Sequence, residues 1–90
     1  MARGEGATTQ QMEAAPKGAV FVWCNGNTYY PRLLARKIGR EDLRIETPAW
    51  LEERWIGLEL TGVAVDHAAQ LTDRQWDGFQ GALTRVRSNA

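Results

Sequence analysis

Residues 19–28 read Ala19-Val20-Phe21-Val22-Trp23-Cys24-Asn25-Gly26-Asn27-Thr28. The apolar half of this segment is continuous rather than alternating, which is typical of a strand buried on both faces, as in a parallel sheet with helices on each side. The polar half contains turn formers and a helix cap. The segment therefore predicts a strand over about 19–24 that passes through a tight loop into a helix, the first unit of an α/β sheet.

A helix is predicted over residues 29–38. Thr28 is a suitable N-cap, and Pro31 falls in the first turn, where a missing N–H costs little. Gly39 ends the helix in a left-handed conformation. Residues 43–47 then alternate apolar and polar side chains with period two, which predicts a second strand with one exposed face, at an edge of the sheet.

The second half of the chain predicts one more strand and one more helix. Residues 60–66 form an apolar strand, and Thr72 with Gln75 makes a capping box that begins the final helix. Residues 48–60 leave open a choice between short helical turns and an irregular crossover. Right-handed crossovers then predict an α/β fold in the order β-α-β-β-α, with two main helices and a small, mainly parallel three-stranded sheet in strand order 2-1-3 or 2-3-1.

The domain boundary follows from the apolar content. Residues 1–18 contain no large apolar side chain except Met1 and Met12, too little to offset the entropy of ordering them. We predict a flexible tail over 1–18 and a single compact domain over 19–90. Because a core of this size is marginal, a homodimer or a protein partner is expected to add to its stability.

Charge and cysteine content narrow the function. Eleven Lys and Arg balance eleven Asp and Glu, so the chain lacks the overall field that sequence-independent binding to nucleic acid needs. A single cysteine excludes an internal disulfide and a multi-cysteine zinc site, and it fits a reducing cytoplasm. The sequence contains no signal-peptide core and no apolar run that could span a membrane. We expect a cytoplasmic protein without a cofactor, a metal or a membrane partner.

Polar side chains follow the first and third predicted strands. Cys24 follows the first, Asp66 and His67 follow the third, and ligands of open α/β sheets bind at the carboxyl ends of strands. If the chain is an enzyme, these three residues are the catalytic candidates, with Cys24 favoured as a thiolate by the nearby helix N-terminus. The neighbouring loop supplies the candidate ligand contacts, although its simpler role is to make the turn: Asn25, Gly26, Asn27 and Thr28.

Aromatic and arginine side chains offer an interaction surface instead. Trp23 and Trp76 take core positions by periodicity, whereas Trp50 and Trp55 fall where a three-stranded domain does not bury them entirely. Exposed aromatic residues beside arginine are typical anchors of protein interfaces. The candidate interface residues are Tyr29, Tyr30, Arg32, Arg36, Trp50 and Trp55. A further alternative is nucleic-acid binding along a basic segment, where solvated ion pairs are the simpler interpretation: Arg32, Arg36, Arg40 and Arg44.

The order of strand, loop and helix resembles the first half of a P-loop or Rossmann nucleotide domain, with a later apolar strand ending in Asp66. This half-Rossmann resemblance implies a degenerate nucleotide-binding or small hydrolytic domain as an alternative function. The loop over 23–28 departs from both patterns, since it has no lysine and lacks the three-glycine fingerprint.

Three motifs carry a second resemblance: Trp-Cys-Asn-Gly-Asn at 23–27, Tyr-Pro-Arg-Leu-Leu-Ala-Arg at 30–36, and Val-Asp-His-Ala-Ala at 65–69 with Leu-Thr-Asp-Arg-Gln-Trp at 71–76. Over 20–86 the chain resembles small uncharacterised proteins encoded by phages of actinobacteria. The resemblance implies an accessory or host-modulating role and contributes no catalytic residue. We therefore predict a non-enzymatic protein-interaction domain.

Overall fold

A computed structural model describes residues 3–89 as a mixed α/β fold. The elements in chain order are α1 (Arg3–Ala14), β1 (Val20–Val22), α2 (Tyr29–Lys37), β2 (Arg44–Glu46), a 3₁₀ helix (Pro48–Leu51), β3 (Val63–Val65) and α3 (Asp73–Asn89). The three strands are parallel and lie in the order β2-β1-β3. The predicted parallel sheet is confirmed, and of the two strand orders left open by the sequence the structure has 2-1-3. Within the described residues, no helix combines the length and the apolar character needed to cross a bilayer.

The central position of β1 explains its continuous apolar sequence. Val20 lies opposite Arg44 of β2 and Val63 of β3, so both edges of β1 are hydrogen-bonded. Val20 and Val22 pack on the face that α3 covers, and Phe21 packs on the other face. All three residues of β1 are buried, because helices cover the sheet on both sides.

The face of the sheet that α2 covers is completed by α1, which corrects the prediction of a flexible tail over 1–18. Met12 of α1 is fully buried and joins the core cluster of this face, formed by Met12, Ala19, Phe21, Ala35, Leu43 and Ile45. The apolar content of α1 is low, as the sequence shows. The helix is held on the domain by one buried methionine and by several polar contacts. Residues 1 and 2 lie outside the described residues.

Arg40 closes the C-terminal end of α1. Its guanidinium donates to the carbonyls of Met12 at 2.5 Å and Glu13 at 3.2 Å, in the last turn of a helix that has no basic residue there. The same group donates to both carboxylate oxygens of Asp42, each at 3.0 Å. The N–H of Gly18 donates to Asp42 at 2.8 Å, with Gly18 at a φ of 76°. Arg40 and Asp42 therefore connect α1 to the segment before β2.

We expect Asp42→Asn to lower the free energy of unfolding at pH 7. The Arg40 guanidinium, and after it the Gly18 N–H, hold the pKa of Asp42 well below its usual range. Because the folded pKa lies below the unfolded value of about 3.9, the carboxylate stabilises the fold above that pH and loses this effect as the pH falls through the folded pKa.

Urea unfolding of both proteins at pH values from 7 down to 2 measures this difference. We expect the gap between wild type and Asp42→Asn to be full at neutral pH and to shrink steadily below about pH 4. Asp77→Asn, at an exposed position on α3, is the control and should change little. A gap that stays constant over this range would contradict the role of the Arg40 and Asp42 pair.

The second face of the sheet is covered by α3 and the 3₁₀ helix. Its core cluster comprises Val20, Val22, Trp50, Leu51, Leu60, Val63 and Ala82. Two glycines of α3 allow a close approach. A Cβ atom on Gly78 would lie 1.8 Å from the carbonyl oxygen of Leu51, and one on Gly81 would lie 2.5 Å from the ring of Trp55.

This close approach reverses the predicted placement of the tryptophans. Trp50 is only 2% exposed, so the prediction of Trp50 as an interface anchor is wrong. Trp55 is half-buried and packs against Gly81 of α3. Its indole N–H donates to the carbonyl of Leu51 at 2.9 Å. Trp76, predicted in the core, is 46% exposed. The reason is that Gly78 and Ala82, rather than the large apolar residues, form the centre of the buried face of α3.

The capping box at the start of α3 is confirmed. The N–H of Gln75 donates to the Thr72 hydroxyl at 3.1 Å, and the N–H of Thr72 donates to the Gln75 side-chain oxygen at 3.1 Å. Gln75 also donates to the carboxylate of Glu52 at 3.0 Å. One side chain thus begins the helix and attaches it to the segment after the 3₁₀ helix.

Candidate functional site

The carboxyl ends of β1 and β3 lie at the same edge of the sheet. The two strands are parallel neighbours, and the N–H of Asp66 donates to the carbonyl of Val22 at 2.9 Å. Cys24 and Asp66 therefore emerge together, as predicted. We call this region, with Asn25 and His67, the strand-end rim.

Asp66 at this rim is occupied by contacts within the chain. It is 2% exposed and accepts a hydrogen bond from the Thr8 hydroxyl at 2.9 Å and another from the N–H of Ala68 at 3.1 Å. Gln11 adds two contacts at the end of β3: its amide donates to the Val65 carbonyl at 3.0 Å and accepts from the N–H of His67 at 2.8 Å. Both oxygens of the Asp66 carboxylate are thus used to dock α1 and shape the turn after β3.

Cys24 is half-buried beside this carboxylate. Burial raises the pKa of the thiol, the negative charge of Asp66 raises it further, and a backbone hydrogen bond opposes both effects. This shift is opposite to the expectation of a thiolate favoured by the helix N-terminus, because burial and a neighbouring carboxylate both favour the protonated thiol. At neutral pH the Cys24 thiol keeps its proton.

The loop between β1 and α2 uses its polar side chains on its own backbone. The N–H of Asn27 donates to the Asn25 side-chain oxygen at 2.9 Å, and the N–H of Tyr29 donates to that of Asn27 at 3.1 Å. Thr28 is the N-cap residue of α2, as predicted, but its hydroxyl accepts from the Arg32 side chain at 2.9 Å instead of from the helix N–H groups. These bonds explain the turn; ligand binding by Asn25, Gly26, Asn27 and Thr28 stays a prediction.

Three exposed apolar side chains lie on α2, away from the strand-end rim. Tyr29 is 71% exposed, and Tyr30 and Leu33 are 42% exposed each. They lie at helical spacing on α2. Beside them is an open groove of about 490 Å³ lined by Thr9, Tyr30, Leu33, Leu34, Lys37 and Ile38. We call the three exposed residues and this groove the α2 patch.

The charged residues of α2 itself all have one sign. Arg32, Arg36 and Lys37 are exposed on α2, and no acidic residue occurs in the helix sequence between Tyr29 and Lys37. The helix therefore combines exposed apolar side chains with positive charge along its own length.

The basic segment predicted for nucleic-acid binding is divided by the fold. Arg40 turns inward to the end of α1, and Arg44 pairs with Glu46 at 2.5 Å. Arg32, Arg36 and Arg44 line a second open groove of about 420 Å³ between α2 and β2, together with the carboxylates of Glu41 and Glu46. The four arginines do not form one continuous basic stripe.

Sequence analysis missed the residues of α1 that complete the strand-end rim. Thr8, Gln11 and Met12 are spaced three and four residues apart, so they share one face of a helix. That spacing was the available signal, but only one of the three is apolar. Within residues 3–89, no group of three or more His, Cys, Asp or Glu side chains is placed to hold a metal ion.

A search for similar proteins finds no matching family model, no matching curated protein and no matching solved structure.

Proposed function

We propose that this chain is a non-enzymatic protein-interaction domain that binds its partner through the α2 patch. The observation that carries the proposal is the exposure of Tyr29, Tyr30 and Leu33 beside an apolar groove, on a helix whose only charges are positive. Contiguous apolar surface rimmed by charge is typical of docking sites. Arg32 and Arg36, predicted as interface residues, flank the patch.

The positive charge of α2 indicates which kind of partner segment fits the α2 patch. A segment with apolar side chains for the groove and acidic side chains for Arg32, Arg36 and Lys37 complements the patch, whereas a basic segment is repelled. Helical or extended peptides commonly bind such grooves through a few apolar anchors. A host-modulating role in the cytoplasm, as the resemblance to phage proteins implies, would act through this surface.

The strand-end rim supports the nucleotide-binding or hydrolytic alternative less well. Asp66 is used by Thr8 and Ala68, and the Cys24 thiol is protonated at neutral pH because its pKa is raised. Nucleic-acid binding is also less well supported, since Arg40 is engaged at α1 and acidic residues line the groove beside Arg44.

Peptides that bind the wild-type domain can be selected from a random library. We expect Leu33→Glu to weaken the binding of these peptides strongly. The variant introduces a negative charge at the centre of the patch, and the loss should be at least about tenfold in affinity. Ile56→Glu is the matched control, because Ile56 is 56% exposed on another part of the surface, and it should bind like the wild type.

The peptide sequences and an NMR shift map complete the test. We expect selected peptides to be enriched in Asp and Glu beside large apolar residues, with shifts at Tyr29, Tyr30 and Leu33. Peptides without acidic enrichment, or shifts confined to the strand-end rim, would contradict the proposal.

A further inference from the structure

The outer edge of β2 presents backbone groups without a protein partner. Arg44 donates its N–H to the Ala19 carbonyl at 2.9 Å, and the Glu46 carbonyl accepts from the N–H of Trp23 at 2.8 Å. Alternate residues of a parallel strand bond to the same neighbour, so the N–H and the carbonyl of Ile45 point away from β1. No hydrogen bond to either group exists within the described part of the chain.

At the opposite edge of the sheet, an outward backbone group has a hydrogen-bond partner. On β3, the outward carbonyl of Val65 accepts a hydrogen bond from the Gln11 side chain of α1 at 3.0 Å. Natural sheets usually protect their edges against unwanted pairing. Here α1 covers part of the β3 edge, whereas the β2 edge borders the open groove of about 420 Å³ beside α2. Within the described residues, no other element pairs with this outer edge of β2.

The side chains of β2 indicate which strand could pair with its outer edge. The strand reads Arg44-Ile45-Glu46, and a two-fold axis through Ile45 places Arg44 of one copy opposite Glu46 of the other, twice. In an antiparallel pair centred on a hydrogen-bonded residue, the flanking residues form the closer, non-hydrogen-bonded pairs. Both side chains reach solvent, with 55% of Arg44 and 23% of Glu46 exposed. The charge pattern is therefore complementary to itself.

We propose that a second copy of this chain adds its β2 antiparallel to this edge, which makes one continuous sheet across a two-fold axis. Ile45 exchanges both backbone hydrogen bonds with Ile45 of the second copy. The N–H of Thr47, which lies in extended backbone, donates to the Leu43 carbonyl of the second copy. Such self-complementarity is what an isologous interface requires. This inference goes beyond the proposed function: it uses the backbone edge of β2, and it shares only Arg32 and Arg36, at the neighbouring groove, with the surface proposed for the partner.

Sedimentation equilibrium at low salt, over concentrations from about 10 μM to about 1 mM, tests the proposal. We expect a monomer–dimer equilibrium in the wild type. Arg44→Glu and Glu46→Arg each place like charges opposite one another and should raise the dimer Kd about tenfold or more. The double variant that carries both changes restores opposite charges and should return the Kd close to the wild-type value. Arg74→Glu, which disrupts an exposed ion pair with Glu52 on α3, is the control.

Hydrogen exchange gives a readout that needs no variant. The Ile45 amide should exchange more slowly as the wild-type concentration rises, while the amide of Val63 on β3 should not depend on concentration. The proposal is overturned by a wild type that stays monomeric throughout. It is equally overturned by a dimer that neither single variant weakens, or that the double variant weakens as much as the single ones.

Discussion

Gly78→Ala is expected to lower the free energy of unfolding by about 3 kcal/mol, through overpacking against the 3₁₀ helix. The added Cβ would lie 1.8 Å from the carbonyl oxygen of Leu51, and a backbone oxygen cannot move aside as a flexible side chain can. The 3₁₀ helix would have to shift away from α3 and take buried Trp50 and Leu51 with it. The gain in helix propensity, about 1 kcal/mol, is too small to compensate.

Thermal and urea unfolding of the variant measure this loss. A change of this size in a domain of this length corresponds to a fall in Tm of about 10 °C or more. Gly6→Ala is the matched control, because Gly6 lies within α1 and a Cβ there meets no atom within 4 Å. It should stabilise the domain by about 0.5 to 1 kcal/mol. Equal effects of the two substitutions would show that α3 does not approach the 3₁₀ helix as described.

Thr8→Val is expected to cost about 2 kcal/mol of unfolding free energy, although it preserves the shape of the side chain. The Thr8 hydroxyl donates to one carboxylate oxygen of Asp66 at 2.9 Å. Both residues are buried, with exposures of 3% and 2%, so water does not readily replace the lost donor. A buried carboxylate oxygen left without a hydrogen bond is costly.

The neighbouring threonine provides a control of identical chemistry. Thr9 is half-buried at the groove of the α2 patch, and Thr9→Val should change the unfolding free energy by less than about 0.5 kcal/mol. Thr8→Ser keeps the hydroxyl and should recover most of the stability. Urea unfolding of the three variants separates the hydrogen bond from the loss of a polar side chain. A Thr8→Val protein as stable as the wild type would mean that α1 is not docked on Asp66.

The strand-end rim illustrates how far residue chemistry alone can predict a site. The positions of Cys24 and Asp66 follow from strand order, and the fold places both at one edge of the sheet. Strand order does not show whether their side chains are free to contact a ligand. Asp66 is used by a hydroxyl 58 residues away in the sequence, and that contact exists only once α1 has packed on the domain.

The arginines show the same division. The sequence repeats arginine every four residues, at Arg32, Arg36, Arg40 and Arg44, a spacing that predicts one stripe on one helix face. Their environments differ, because α2 ends at Lys37 and the chain then turns toward β2. Arg40 falls in that turn, within reach of the last carbonyls of α1, while Arg32 and Arg36 stay on the exposed side of α2.

By itself, the sequence determined the parallel sheet, the burial of β1 on both faces and the start of α3. A continuous apolar run demands cover on both faces, and the Thr72 and Gln75 bonds span only three residues, so both are local signals. Only the tertiary structure decided the docking of α1, the burial of Trp50 and the exposure of the α2 patch. The first two depend on atoms distant in sequence coming together, the Thr8 hydroxyl on the Asp66 carboxylate and the Leu51 carbonyl against Gly78. The third depends on where the other described elements pack, since they leave Tyr29, Tyr30 and Leu33 exposed.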